Sequence, residues 1–159
     1  MKEPEFIKTI SDPNEIQNLG FDLIKSAKDE VLIIFSTANA FHRLERAGLI
    51  QLLQETTASK NNGIKVRILT PVYDQLIQKK SKANKKIDIR FLEKTSWQSN
   101  VTTLTVDGRF SLEVDLKDDS LEAIGLATYS NSSSIIWTHI SIFETLWTQS
   151  EFRRDRAKN

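Results

Sequence analysis

The sequence predicts an α/β protein, with a mixed sheet that carries helices on both faces. Up to residue 92, amphipathic helical segments alternate with apolar strand-like runs, which requires right-handed crossovers and parallel strands. Strand-like runs then follow one another at 101–106, 110–116 and 123–129, which predicts an antiparallel section. The length matches a single domain, and we expect residues 1–159 to share one core.

The first half of the chain contains the predicted helices and parallel strands. Asp12 followed by Pro13 combines an N-cap side chain with a proline at the first helical position, so a helix is predicted over 13–29. The continuous apolar run 31–35 is typical of a strand that is covered on both faces. The elements predicted next are a helix at 41–59, a strand at 64–69, a short helix at 72–81 and a strand at 87–92.

The last predicted element is a helix over 132–155. A stripe of large apolar side chains recurs along it at helical spacing, formed by Ile136, Ile140, Phe143 and Trp147. Neighbouring apolar residues widen this stripe beyond what packing against one sheet face requires. We therefore expect part of this apolar surface to cover the sheet and part of it to form the interface of a homodimer, with the stripe as the candidate. Trp147 is assigned to the core or to that interface, and the helix to the output element of the domain.

Composition excludes several classes of function. The formal charge of +1 predicts no general attraction to nucleic acid or to acidic membranes. Cysteine is absent, so disulfides, thiolate nucleophiles and thiolate zinc sites are excluded. No apolar run approaches the roughly 20 residues that a membrane-spanning helix needs. We expect a cytoplasmic protein with no cofactor, no metal, no nucleic-acid partner and no direct membrane span.

Polar, uncharged residues follow the ends of several predicted strands. Ligands of α/β proteins bind where the carboxyl ends of strands meet, so these residues are candidates for a site that takes a small hydroxylated or phosphorylated molecule. The candidates are Ser36, Thr37, Asn39, Thr70, Thr128 and Asn131. The alternative is that such side chains only cap helices and fill turns.

Other candidate residues have both a functional and a structural interpretation. His42, beside Arg43 and Arg46, could hold an anion near a helix N-terminus, or could belong to a solvated helical turn. Trp97 lies in a predicted loop and is a candidate ligand contact. His139 lies in the last helix, where a hydrogen-bonded or interface histidine is favoured over a metal ligand because no partner occurs at suitable spacing.

Two charged patterns are best explained by solvent-facing surfaces. Glu113 and Asp115 share one face of a predicted strand and could bind a hard cation, but they alternate with apolar residues as an exposed strand face does. The lysines between 79 and 86 lack the interleaved aromatic residues of a nucleic-acid site, which favours a solvated helix end.

The stretch NVTTLTVDGR at 100–109 resembles the strand and turn that carry the histidine-lysine-aspartate motif of phospholipase D enzymes. The positions of that motif hold Asn100, Thr102 and Asp107, so the resemblance implies the phospholipase D-like fold. An amide is not a nucleophile comparable to histidine, and a hydroxyl is not a cation comparable to lysine. The resemblance therefore implies that the phosphodiesterase chemistry is lost. Asn100 and Thr102 remain candidate ligand contacts, and Asp107 before Gly108 is explained by a type I′ or similar turn.

A second resemblance covers nearly the whole chain. The segments 5–7, 33–41, 123–132 and 141–147 resemble the sensory segment of archaeal multidomain histidine kinases. In that family the segment precedes the dimerisation and phosphoacceptor helices, which agrees with a last helix that lacks a stop signal. The resemblance implies a non-catalytic input domain for a kinase module in the same full-length chain, responding to a small molecule or a protein.

Two alternatives to the kinase interpretation stay open. The chain could be the effector-binding domain of a transcription regulator, a class that uses the same fold. It could also retain phosphodiesterase or nuclease activity, against which the residues at 100 and 102 argue.

Overall fold

The computed structural model of the protein describes residues 3–59, 63–72, 79, 84–92, 101–118 and 123–157. The strands in these residues are β1 (Ile7–Ile10), β2 (Glu30–Ile34), β3 (Lys65–Thr70), β4 (Ile87–Phe91), β5 (Val101–Val106), β6 (Phe110–Asp118) and β7 (Ala123–Ser130). The helices are α1 (Pro13–Ser26), α2 (Ala38–Arg46), α3 (Leu49–Ser59) and α4 (Ser133–Ala157).

All described strands belong to one mixed sheet, in the order β1-β7-β6-β5-β2-β3-β4. Strands β2, β3 and β4 are parallel, whereas β5, β6, β7 and β1 follow in antiparallel pairs. The predicted parallel first half, antiparallel second half and α/β class are therefore confirmed. Strand β1 was not predicted, because its four residues are mostly exposed and carry no apolar alternation.

Strand β2 is covered on both sides, as its continuous apolar run predicted. Val31, Ile33 and Phe35 belong to the larger core cluster, which includes buried residues of α1, α2 and α3. Leu32 and Ile34 point the other way, into a smaller cluster with residues of α4. Among the described elements, the sheet is thus the middle layer between α1, α2 and α3 on one face and α4 on the other.

Two predicted helix boundaries were wrong. The helix predicted over 41–59 is two helices, because Gly48 adopts a φ of 101°, a left-handed conformation that breaks the helix after Arg46. Helix α1 begins as predicted, with the carboxylate of Asp12 accepting from the amide of Asn14 at 3.1 Å. It ends at Ser26 rather than 29, since Ala27 is extended. Most of the short helix predicted over 72–81 lies outside the described residues.

Helix α4 packs its predicted interface stripe against the sheet of its own chain. Ile136, Phe143 and Trp147 are buried, and Ile140 is half-buried against the same cluster. Their assignment to a dimer interface was wrong, because β2 and β3 offer this helix an apolar surface of their own. Among the described residues of α4, the large apolar side chain left exposed is Trp137, at 68%.

Charged side chains fix α4 in position. The guanidinium carbon of Arg67 lies 5.1 Å from the ring centre of Phe143, and its Nη2 lies 2.5 Å from a carboxylate oxygen of Glu144. Arg90 stacks on Trp147, with its guanidinium carbon 3.8 Å from the ring centre. These contacts link β3 and β4 to two turns of the helix. No helix in the described part of the chain is long and apolar enough to cross a membrane.

Candidate functional site

The carboxyl end of β2 meets the start of β5, and this brings two candidate residues together. Thr102 Oγ1 accepts a hydrogen bond from the amide of Ser36 at 3.2 Å, and the two hydroxyl oxygens are 3.1 Å apart. Both residues are buried. In the resemblance, Thr102 occupies the position of the phosphate-binding lysine. Here its hydroxyl is hydrogen-bonded to Ser36, just after the end of β2.

The other candidates at this edge of the sheet act as caps. Thr37 is the N-cap of α2, and its hydroxyl accepts from the amide of Ala40 at 3.1 Å. Thr70 is buried at the end of β3, where its hydroxyl accepts from the amide of Val72. Asn39 lies in the first turn of α2. Together with Ser36, these three positions share one edge of the sheet, as predicted. The hydroxyls of Thr37 and Thr70 satisfy backbone amides there, which agrees with the structural alternative.

Asn131 lies at the opposite edge of the sheet, so its predicted convergence with Ser36 was wrong. Strand β7 runs antiparallel to β6, and its carboxyl end therefore points away from the carboxyl end of β2. Asn131 instead accepts from the amide of Phe6 at 2.8 Å and donates to the carbonyl of Pro4 at 3.1 Å. Thr128 lies in mid-strand, paired with Glu113 and Thr9.

Asp107 does more than form the predicted turn. Asp107 and Gly108 both have positive φ, 57° and 63°, and the amide of Arg109 bonds to the carbonyl of Val106, which together make a type I′ turn. The Asp107 carboxylate also accepts three backbone amides that precede or begin β2, at 2.8 to 2.9 Å. The last residue of the degenerate motif thus anchors β2 to the β5–β6 hairpin.

A cavity of about 80 Å³ lies between α1, α2 and the sheet. Its floor is formed by Ile33, Leu104, Leu112 and Val114, and its walls include Ile16 and Phe21 of α1 and Leu44 of α2. Gln17, Arg43 and Thr102 are the polar members of the described lining. This cavity is therefore apolar with polar groups at a few points, unlike the polar pocket that was predicted at the strand ends.

Arg43 and Thr102 are the sequence candidates that line this cavity. The Nη2 atom of Arg43 is buried and has no hydrogen-bond partner in the described residues. His42, the residue before Arg43 in α2, is absent from the lining, and its ring contacts Phe41 edge-on at 5.7 Å. Arg46 is exposed and likewise does not line the cavity. The predicted cationic cluster is thus divided, because Arg43 alone of its three members belongs to the cavity lining.

The contribution of α1 to the cavity was missed from the sequence. Gly20 lies in the middle of this helix and lines the cavity, and a Cβ added there would have Leu112 Cδ2 as a neighbour at 3.6 Å. A glycine on an otherwise apolar helix face marks a position where side-chain volume is missing. That signal was present in the sequence, but only the packing of α1 on β6 turns it into a cavity.

On the other face of the sheet, His139 connects α4 to β6. Its Nδ1 shares a hydrogen bond with Ser111 Oγ at 2.5 Å, and its Nε2 lies 4.0 Å from a carboxylate oxygen of Glu113. Burial lowers the pKa of His139, and the charge of Glu113 opposes this shift. Glu113 therefore faces α4, whereas Asp115 is exposed as predicted.

Two further candidates, Trp97 and Asn100, lie outside the described residues. In the part of the chain that is described, no group of three or more His, Asp and Glu side chains is arranged to hold a metal ion.

No protein-family model and no curated protein matches the chain. Solved structures match it in fold. TrmBL2, an archaeal chromatin protein with a novel mode of DNA binding, matches with a TM-score of 0.65 at 13% identity, over 93% of this chain and 54% of that one. NucT from Helicobacter pylori matches with a TM-score of 0.63 at 15% identity, over 92% of this chain and 98% of that one.

Phosphatidylserine synthase from Haemophilus influenzae Rd KW20 matches with a TM-score of 0.52 at 10% identity, over 94% of this chain and 40% of that one. The chain thus spans about half of TrmBL2, less than half of the synthase and nearly all of NucT. At these identities the similarity concerns the fold alone. The chain has a phospholipase D-like α/β fold, as the resemblance implied.

Proposed function

We propose that this chain is a non-catalytic signal-input domain of a two-component histidine kinase, cytoplasmic and homodimeric. In this proposal a small molecule occupies the cavity between α1 and α2, and α4 relays its presence to a kinase module in the same full-length chain. One observation carries the proposal: β2, β5 and β6 line the cavity on one face of the sheet and support α4 on the other.

Adjacent residues of each strand face the two sides. On β2, Ile33 lines the cavity, whereas Leu32 and Ile34 pack in the cluster of Phe143 and Trp147. On β6, Leu112 lines the cavity, whereas Ser111 bonds to His139 of α4. Close-packed interiors transmit displacement, so a ligand that moves these strands also acts on α4. The relay requires that the ligand bind one of two states of the domain more tightly.

The chemistry at position 102 supports the proposed lack of catalysis. The hydroxyl of Thr102 accepts the Ser36 amide and cannot supply the positive charge that holds a phosphate in the resembling enzymes. We expect no turnover of generic phosphodiesters, with or without divalent metal. Turnover that disappears in Asn100→Ala would reverse this part of the proposal.

The relay is tested with a variant that fills the cavity without touching α4. Ala40→Leu adds three carbons at a buried position of the lining, and Ala58→Leu adds the same volume at an exposed position of α3. We expect Ala40→Leu to alter hydrogen exchange of the α4 amides and the autophosphorylation rate of the full-length kinase, and Ala58→Leu to alter neither. A folded Ala40→Leu protein with unchanged α4 exchange would reject the relay. If Ala40→Leu does not fold, Gly20→Ala provides the same test with a single added methyl group.

The second candidate function is the effector-binding domain of a transcription regulator. The observation that favours it is the similarity to TrmBL2, which covers 93% of this chain and which is a DNA-binding chromatin protein. The coding sequence beyond Asn159 distinguishes the two candidates. A dimerisation helix with a phosphoacceptor histidine supports the kinase, whereas a DNA-binding module supports the regulator.

A further inference from the structure

We infer that the cavity between α1, α2 and the sheet binds a small uncharged apolar molecule of about three carbon atoms. This inference rests on the proposed ligand-binding function of the cavity and names the chemical class of its ligand. Three observations support it, namely the chemistry of the lining, the glycine at position 20 and the volume of the cavity.

The lining of the cavity disfavours polar and charged ligands. Its described surface is almost entirely carbon, although Gln17, Arg43 and Thr102 belong to it. The hydroxyl of Thr102 is hydrogen-bonded to Ser36, and the Nη2 atom of Arg43 is closed to solvent. A polar ligand would therefore lose its hydrogen bonds to water without replacing them in the cavity. An apolar ligand has none to lose, and it gains close contacts with the carbon atoms of the lining.

A glycine that the backbone does not require leaves space in the cavity wall. Gly20 lies in the middle of α1, where glycine is less favourable to a helix than alanine. Its φ is not positive, and a Cβ added there would meet its nearest neighbour, Leu112 Cδ2, at an ordinary contact distance of 3.6 Å. Neither the backbone conformation nor close packing therefore calls for glycine at this position. What the missing methyl group provides is room in the cavity.

The volume sets the size of the ligand. A dry apolar cavity of about 150 Å³ binds benzene, a ring of six carbons. The present cavity of about 80 Å³ has roughly half that volume, so it accommodates about three carbon atoms. Phe21 and Leu44 in its walls are half-buried, which places the cavity close to the surface of the domain. Cyclopropane is therefore the probe, with ethanol as a polar molecule of equal heavy-atom number and benzene as an oversized apolar molecule.

Binding is measured by methyl NMR on the wild-type chain, with cyclopropane dissolved under pressure. The methyl signals of Ile33, Leu104 and Leu112 should shift and saturate with a dissociation constant of about 10 to 20 mM, the affinity that burial of three methylene groups provides. The signals of Ile7 and Leu126, which are exposed, should stay unchanged. Ethanol and benzene at the same concentrations should give no saturable shift of the cavity signals.

Two variants reduce the cavity from different sides. Ala40→Leu fills it from α2 and should abolish the cyclopropane shifts, whereas Ala58→Leu adds the same volume at an exposed position of α3 and should leave them unchanged. Gly20→Ala removes room for one carbon on the side of α1 and should weaken cyclopropane binding by about fourfold or more. Because alanine favours the helix at position 20, this second variant keeps the test intact if Ala40→Leu does not fold.

Several results would overturn the inference. Absence of saturable cyclopropane binding would do so, as would shifts of equal size at Ile7 and Leu126. Equal affinity in the wild type and in both cavity variants would place binding outside the cavity. Ethanol that binds as tightly as cyclopropane would overturn the apolar class, and saturable benzene binding would overturn the size limit.

Hydrogen exchange of the α4 amides separates this inference from the proposed function. If cyclopropane binds and is lost in Ala40→Leu but α4 exchange does not respond to it, the ligand class stands and the relay fails. If α4 exchange responds to Ala40→Leu while cyclopropane does not bind the wild type, the relay stands and the ligand class fails.

Discussion

Removal of the Asp107 carboxylate should destabilise the fold by a predictable amount. Its two oxygens accept the amides of Lys28, Asp29 and Glu30, at 2.9, 2.8 and 2.9 Å, and thereby hold the start of β2 against the β5–β6 hairpin. Two of these bonds are exposed to solvent, so we assign about 1 kcal/mol to each of the three, below the range of about 1.5 to 3 kcal/mol for bonds to charged groups. A left-handed alanine adds up to about 1 kcal/mol. Asp107→Ala should therefore cost about 3 to 4 kcal/mol.

Asp107→Asn refines the test. Its remaining oxygen can keep the amides of Asp29 and Glu30, whereas its amide group cannot accept from Lys28. Asparagine also tolerates the positive φ, so the expected cost is about 1 to 1.5 kcal/mol. Both variants are measured by urea denaturation, with the slope unchanged and the midpoint lowered. Asp115→Ala, an exposed aspartate of β6, is the control and should lie within about 0.5 kcal/mol of wild type. A cost below about 1 kcal/mol for Asp107→Ala, or equal costs for the alanine and asparagine variants, would refute this account of the anchor.

Three further predictions concern both faces of the sheet. Gly20→Ala should stabilise the domain by about 0.5 to 1 kcal/mol in chemical denaturation, because alanine favours the helix and its Cβ meets Leu112 at an ordinary 3.6 Å; a destabilised variant would mean that the cavity wall is needed. Burial lowers the pKa of His139 below the usual 6.5, so the folded state binds this proton less readily than the unfolded chain. The domain should therefore lose stability as the pH falls below about 6.5. His139→Gln should flatten the pH profile of the thermal midpoint in that window. An unchanged profile would show that His139 does not cause the pH dependence. Trp147→Ala should cost about 3 to 5 kcal/mol in unfolding free energy, since the ring is buried within one chain; unchanged stability with altered sedimentation would return this residue to an interface.

Most of the elements were encoded locally. The apolar run 31–35 predicted a strand covered on both faces, and Asp12 with Pro13 predicted the start of α1, because caps and periodicity depend on neighbouring residues. The prediction of one continuous helix over 41–59 was wrong at Gly48. The apolar pattern continues through this residue, but its positive φ divides the segment into two helices. Strand β1 was not predicted, because its side chains carry no strand pattern. It is a strand because it pairs with β7.

By itself, the sequence determined the α/β class, the change from parallel to antiparallel strands and the threonine at the position where the resembling phospholipase D motif has lysine. Only the tertiary structure decided which residues meet. In the folded chain Ser36 lies beside Thr102, whereas Asn131 lies at the opposite edge of the sheet, because the direction and order of the strands determine which strand ends lie at the same edge. The tertiary structure also buried the stripe of α4 and placed Arg43 in the lining of a cavity. Periodicity identifies an apolar face, but what covers that face depends on elements distant in sequence.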